Sequence, residues 1–479
     1  MGSSLAVPLW LALPVGLLAA WAAYDKLLMP AIRWFVAGQA NRVIDELGAR
    51  LRIGIRPFQR TRRQILIHRL LGDPRVLEAA EQHAAATGTP LPAVLKTLER
   101  YAREIVPAFN AYLYFRTGYW LGKKFAQGLY RVRIGYVDAE GIRRIPENAT
   151  VVFVMNHRSN MDYVLAGYLA AEQAALSYAV GEWARIWPLS ALIRAMGAYF
   201  VRRNSRDELY RRVLERYIVM ATQAGVPQAV FPEGGLTRDG RMREPRLGVI
   251  DYMLRGFAVD GERDLVFVPL GLNYDRVLED RSLLRAADPR AERRGRWAAA
   301  ATTLRFVAHN LGLMAKSDWH RFGYACVNIG APISMRAYCS ERGIDFQRLA
   351  GEARRTEMGA LGARLMAVVG AIVPVVPVAL IASVFVARPA EARSEIALKA
   401  EAQALLEQLR AAGAKAYVPR QDLDYAFHVG LRMLTLRRLV EVQDGLYRAR
   451  DDELPLLGYY ANSIAHLPRA PAGGAASEQ

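Results

Sequence analysis

The chain has 479 residues, 52% of them hydrophobic, with 64 Lys and Arg against 46 Asp and Glu and a formal net charge of +18. That length exceeds one small domain and allows a sizeable core, while an apolar fraction at the upper edge of the soluble range points to membrane contact. The charge favours an anionic partner, but no zinc-finger spacing or aromatic-interleaved basic stretch supports nucleic acid, and two cysteines, Cys326 and Cys339, exclude a disulfide framework and suit a reducing compartment.

Leu5 to Tyr24 is an uncharged apolar stretch of bilayer-spanning length, followed by Asp25, Lys26, Arg33 and Arg42. No basic residue precedes it, so residues 1–25 read as a retained membrane anchor and not as a cleaved signal. The positive-inside rule then puts the rest of the chain on the cytoplasmic face of the cell membrane. Residues 26–129 pattern as helices, with basic residues Arg50, Arg52, Arg56, Arg60, Arg62 and Arg63 placed to meet lipid headgroups or to form a plain solvated face.

From 130 to 390, β-rich runs alternate with helical patterns, the signature of an α/β domain. The runs are Val132 to Tyr136, Thr150 to Met155, Ala229 to Phe231, Leu265 to Pro269 and Ala325 to Ile329. A second apolar run, Met366 to Ala387, is long enough to span a bilayer, but Pro374 and Pro377 interrupt it. Two prolines leave backbone groups unpaired in lipid, so a buried or membrane-surface segment is favoured over a span. Over 391–468 helical periodicity returns, with Ala402, Leu405, Leu406 and Leu409 on one stripe, and the Ala/Gly-rich residues 469–479 read as a disordered tail.

The most informative stretch is Asn156-His157-Arg158-Ser159-Asn160-Met161-Asp162-Tyr163, between an apolar run and a helical pattern. A histidine with an orienting carboxylate is a base suited to deprotonating an alcohol near neutral pH. Five residues apart on one helix they do not share a face, so His157 is expected in a turn and Asp162 in the first helical turn. A helix N-terminus there is also expected to aim backbone N–H groups at negative charge on a substrate. Alone, that His and Asp spacing is common.

Two further stretches add cations and glycines. In Gly197-Ala198-Tyr199-Phe200-Val201-Arg202-Arg203 the arginines offer forks that match phosphate, or form an ordinary surface pair. In Phe231-Pro232-Glu233-Gly234-Gly235-Leu236-Thr237-Arg238-Asp239-Gly240-Arg241 a strand ends in a glycine-rich loop that lets a ligand approach the backbone, or is a plain turn. Val268-Pro269-Leu270 ends a strand and says little in isolation.

In this order the four stretches resemble the glycerol-3-phosphate and dihydroxyacetone-phosphate acyltransferase family, whose blocks read H-x-x-x-x-D, G-x-x-F-I-R-R, F-x-E-G-x-R-S-R and V-P. Val327 to Ile333 and Tyr459 to His466 are similar to the family's later strand and C-terminal signature. The resemblance implies an α/β acyltransferase core with a mixed sheet surrounded by helices, with the anchor and helical region before it and a helical region after it. It implies that His157 and Asp162 are catalytic, and that Arg158, Ser159, Arg202, Arg203, Glu233, Gly234, Gly235 and Arg238 bind substrate. It implies acyl-CoA or acyl carrier protein as donor, glycerol 3-phosphate as acceptor and membrane phospholipid as neighbour, with no cofactor, no metal and no nucleic acid. Leu236 stands where the family has arginine, which keeps dihydroxyacetone phosphate or a lysophospholipid open as acceptor. A non-catalytic lipid-binding protein on the same fold is the rival from another class.

Overall fold

The computed structural model describes residues 56–111, 113–170, 176–180, 193–202, 205–288 and 322–471. The expected anchor over residues 1–25, Arg50, Arg52, Arg203 and the end of the tail from 472 lie outside the described residues. Among the described residues, no helix is long and apolar enough to cross a membrane.

After a single helical turn at Pro57–Arg60 come three longer helices: α1 (Arg63–Leu71), α2 (Pro74–Thr87) and α3 (Leu91–Ile105). The start of α2 is specified locally, because Asp73 accepts from the Arg75 N–H and Pro74 fills a first-turn position that needs no donor. Val94, Leu98, Tyr101, Ala102 and Ile105 recur at helical spacing and bury one stripe of α3. After α4 (Tyr119–Leu129) and α5 (Met161–Ala170), the long α6 (Glu208–Gln223) packs on both α2 and α3. The Arg216 guanidinium pairs with Asp73 at 2.6 Å, so the residue that caps α2 also ties it to α6.

The central sheet has strands β1 (Arg131–Val137), β2 (Thr150–Met155), β3 (Ser177–Val180), β4 (Tyr199–Phe200), β5 (Gln228–Val230), β6 (Leu265–Tyr274), β7 (Tyr324–Ile329) and β8 (Ile333–Ser334). Their spatial order is β1-β7-β6-β2-β5-β3-β4, with β8 beside β6. From β6 through β2, β5 and β3 to β4 every pairing is parallel, whereas β7 and β8 run antiparallel to β6. This is the mixed α/β core expected from the sequence. Strands β2 and β6 are apolar and buried nearly throughout, as parallel strands covered on both faces must be.

Strand β6 does not stop at Pro269, where the sequence reading ends it. On one side it pairs with β8 through Val266 and Phe267, and with β7 from Leu270 to Tyr274. Pro269 falls in the gap between these two neighbours, where its missing N–H leaves no ladder bond broken. The strand therefore runs five residues further, to Tyr274.

The second apolar run is buried in protein. Helix α9 (Gly351–Ala371) ends ahead of Pro374, and α10 starts afresh over Pro377–Ala387, with α7 (Gly248–Arg255) and α8 (Asp280–Ala287) lying earlier in the chain. The link between α9 and α10 crosses β6 so closely that a Cβ on Gly271 would lie 2.3 Å from the Ile372 carbonyl oxygen. Asn328 and Asn273 donate to the Ile372 and Pro374 carbonyls at 2.9 and 2.8 Å, satisfying the backbone that the prolines leave unpaired.

Helix α10 packs on α11 (Glu395–Ala411), α12 (Leu423–Leu436) and α13 (Leu454–Ala461). Residues 391–468 are not purely helical, however. Strands β9 (Arg393–Ser394), β10 (Val440–Gln443) and β11 (Leu446–Ala449) form a small antiparallel sheet. Asp444 and Gly445 both have positive φ, 50° and 74°, the hairpin turn that an Asp-Gly pair favours.

Candidate active site

The site begins where β2 ends. Beyond Met155 the chain leaves the sheet, and Asn156 replaces the lost ladder with its side chain, donating to the Leu272 carbonyl at 2.9 Å and accepting from the Leu272 N–H at 2.8 Å. The next residue, His157, lies in the turn, and Asp162 lies in the first turn of α5, as the spacing predicts. The His157 Nδ1 meets the Asp162 Oδ2 at 2.9 Å. A carboxylate only accepts, so the proton of this bond sits on Nδ1 and Nε2 keeps its lone pair. Nε2 is buried and makes no hydrogen bond to any described residue. The ring is held by Phe231, tilted by 30° with centroids 4.1 Å apart, and by Tyr163 edge-on at 5.3 Å.

Asp162 is fully buried, and four donors compensate it: His157 Nδ1, the N–H groups of Arg158 and Ser159, and the Tyr274 hydroxyl at 2.5 Å. Burial, reinforced by Asp162, pushes the Tyr274 phenol well above its ordinary range, so it remains a donor. Tyr274 was not singled out from the sequence because it lies in the stretch of β6 beyond Pro269. The alternation Leu270, Leu272, Tyr274 was the available signal. Replacing Tyr274 with Phe removes one donor from a buried carboxylate, about 1–1.5 kcal/mol. We expect kcat to fall about tenfold with the acceptor KM little changed, measured by steady-state kinetics.

The start of α5 does not offer its N–H groups to a substrate. His157 N donates to Glu233 Oε1, Arg158 N and Ser159 N to Asp162, Asn160 N to Glu279, and Met161 N to the Ser159 hydroxyl. The donors that the sequence reading assigned to negative charge on a substrate instead fix the turn that presents His157.

Ser159 and Arg158, expected to bind substrate, are directed into the protein. The Ser159 hydroxyl donates to Glu279 at 2.8 Å. The Arg158 guanidinium is 2% exposed and donates to the carbonyls of Gly240, at 2.9 Å, and Ser463, at 3.0 Å. Glu233 accepts from the N–H groups of both His157 and Arg243, at 2.9 and 3.1 Å. Burial pushes its carboxyl up to about 7, against these donors and Arg158, which pull the other way. Gly234 has φ 65° and packs against the Arg246 side chain, and Gly235 is buried beside it. Arg238 is exposed and bonds the Ala286 carbonyl. Arg202 makes a two-pronged ion pair with Glu104, at 2.9 and 2.7 Å, between the rings of Tyr101 and Tyr210. Among the described residues no cluster of His, Cys, Asp and Glu has the arrangement of a metal site.

Residues 136–273 match the acyltransferase family model, and residues 311–477 match the model of the glycerol-3-phosphate acyltransferase C-terminal region. The chain is similar to glycerol-3-phosphate acyltransferases along most of its length. Among curated relatives, the glycerol-3-phosphate acyltransferases of Ectopseudomonas mendocina and Aeromonas hydrophila are 28% and 27% identical over 86% and 85% of this chain. The alignments cover 49% and 50% of those proteins, so the chain spans about half the length of the curated relatives it matches. The crystal structure of a 1-acyl-sn-glycerophosphate acyltransferase from Thermotoga maritima overlaps 52% of this chain and 77% of that one at 16% identity and a TM-score of 0.30.

The family's C-terminal region is physically part of the dyad's support. Ser463 accepts from Arg158, Asn462 donates to the Asp239 carbonyl at 2.9 Å, and the Tyr460 hydroxyl bonds Asp280 and the Val277 N–H. Gly240, which has φ 85°, lies where a Cβ would come within 1.9 Å of the Tyr459 carbonyl oxygen. Gly240→Ala combines a strained φ with a backbone collision, and we expect roughly 2–5 kcal/mol of lost stability. Thermal unfolding followed by circular dichroism checks this.

Proposed function

We propose that the protein transfers a fatty acyl group from acyl-CoA or acyl carrier protein to the sn-1 hydroxyl of glycerol 3-phosphate, giving lysophosphatidate. The observation that carries this reading is the buried His157 ring, whose Nδ1 is fixed on Asp162 and whose Nε2 is left as a base. In this reading Nε2 takes the proton of the acceptor hydroxyl as its oxygen attacks the thioester carbonyl carbon. The tetrahedral centre then collapses, the carbon–sulfur bond breaks, and the imidazolium returns the proton to the leaving thiolate. Asp162 stabilises the imidazolium in between, and Tyr274 holds Asp162 in place. The thioester is already activated, so no covalent acyl-enzyme is required. Nε2 is buried, so the acceptor hydroxyl must gain access to it before the proton can move.

By the resemblance, Arg202 and Arg203 would help to bind the acceptor phosphate, with Glu233, Gly234 and Arg238 lining the same site, Glu233 and Gly234 through hydroxyl or backbone contacts. Residues 1–25 would hold the chain in the cytoplasmic membrane with the site on the cytoplasmic side, where donor tail and product mix with phospholipid. The test is transfer of labelled acyl groups from long-chain acyl-CoA or acyl carrier protein to glycerol 3-phosphate by purified protein in mixed micelles. Labelled lysophosphatidate supports the reading. Transfer only to dihydroxyacetone phosphate or to a lysophospholipid would reassign the acceptor, and thioester left intact with every acceptor would leave a lipid-binding protein.

A further inference from the structure

A dianionic acceptor beside a buried base needs a fixed cation, and Leu236 occupies the place of the arginine that the family's third block carries there. The loop after that block folds back on itself. Arg246 N donates to the Pro232 carbonyl at 2.7 Å and Arg243 N to Glu233 Oε2 at 3.1 Å, which returns residue 243 to the start of the loop. The other Glu233 oxygen holds the His157 N–H, and Thr237 N donates to the His157 carbonyl at 3.1 Å. One carboxylate thus joins the backbone of the base to the backbone of Arg243. The Arg243 side chain then reaches across, with Nη1 3.5 Å from the Leu236 carbonyl oxygen.

We propose that Arg243 supplies, from seven residues further along, the phosphate-binding guanidinium that Leu236 cannot; the inference rests on the acceptor reading above. Its environment fits a cation kept for a ligand. Arg158 is used on two backbone carbonyls and Arg202 on Glu104, whereas Arg243 is half-buried and, among the described residues, no carboxylate lies within ion-pair distance of it. A half-buried guanidinium without a counter-charge is poorly compensated until an anion arrives, and a planar fork suits a phosphate. Arg238 is exposed and bonded toward α8, so it does not substitute for Arg243.

The test uses the full chain with Arg243→Gln, and with Arg243→Gln combined with Leu236→Arg. The expected result is a KM for glycerol 3-phosphate raised about 10- to 100-fold in Arg243→Gln, with kcat and the donor KM within about threefold of wild type. The double variant is expected to recover most of that loss. An unchanged acceptor KM in folded Arg243→Gln overturns the inference, as does a loss shared equally with the donor and not recovered by Leu236→Arg. Calorimetric titration with glycerol 3-phosphate alone separates this idea from the acyl-transfer reading. Wild type that binds the ligand more tightly than Arg243→Gln yet transfers no acyl group retains the cation and removes the reaction, while equal binding, or none, removes the cation.

Discussion

In His157→Ala, acyl transfer to glycerol 3-phosphate is expected to fall by about 10²- to 10⁴-fold in kcat, the range general-base catalysis supplies, and further if the acceptor loses its alignment. The expectation follows from geometry, because Nε2 is the only unbonded nitrogen of a ring whose other nitrogen is committed to Asp162. Among the described residues, His466 of the C-terminal signature is committed elsewhere, its ring bonded to the Gly370 carbonyl at 3.1 Å. Single-turnover kinetics with folded protein, checked by circular dichroism, measures the effect. Turnover within threefold of wild type would remove His157 from the chemistry.

Asp162→Asn is expected to cost roughly 10³- to 10⁴-fold while leaving the fold largely intact. One amide oxygen can still accept from the Arg158 and Ser159 N–H groups, as Oδ2 does now. The amide cannot stabilise an imidazolium as a carboxylate does, and if it turns its NH₂ toward Nδ1 it forces the proton onto Nε2, which is then no longer a base. In either orientation Tyr274 faces a changed partner at Oδ1. A pH–rate profile separates the two outcomes, since the wrong tautomer lowers the rate at every pH, whereas a lost counter-charge moves the rising limb. Near-normal turnover in a folded Asp162→Asn protein would break the pairing.

Much of this arrangement was legible in the sequence because it is local. Strand β2, the turn and the start of α5 follow from a β-branched run ending at Asn156 and a helical pattern from Met161, so the placement of His157 and Asp162 needed no tertiary information. What stayed hidden depends on neighbours. Pro269 reads as a strand end until β7 and β8 are seen to meet there, and that truncation concealed Tyr274. The roles of Arg158 and Ser159 could not be read from residue type, since an arginine that clamps two carbonyls looks in sequence like one that binds phosphate. The β10–β11 hairpin was marked by Asp444-Gly445 but lay inside a stretch dominated by helical periodicity.

The bond from Arg158 to Ser463 spans 305 positions of sequence. A chain emerging from the ribosome at about 5–20 residues per second completes the dyad's own turn roughly 15–60 s before the partner of that arginine exists. During that interval the Arg158 guanidinium has the Gly240 carbonyl but not its Ser463 partner, while the bonds from the His157 turn to Glu233 and Asp162 do not depend on the C-terminal region. Fragments ending before Ser463 therefore contain His157 and Asp162 and still lack one of the two carbonyls that hold Arg158.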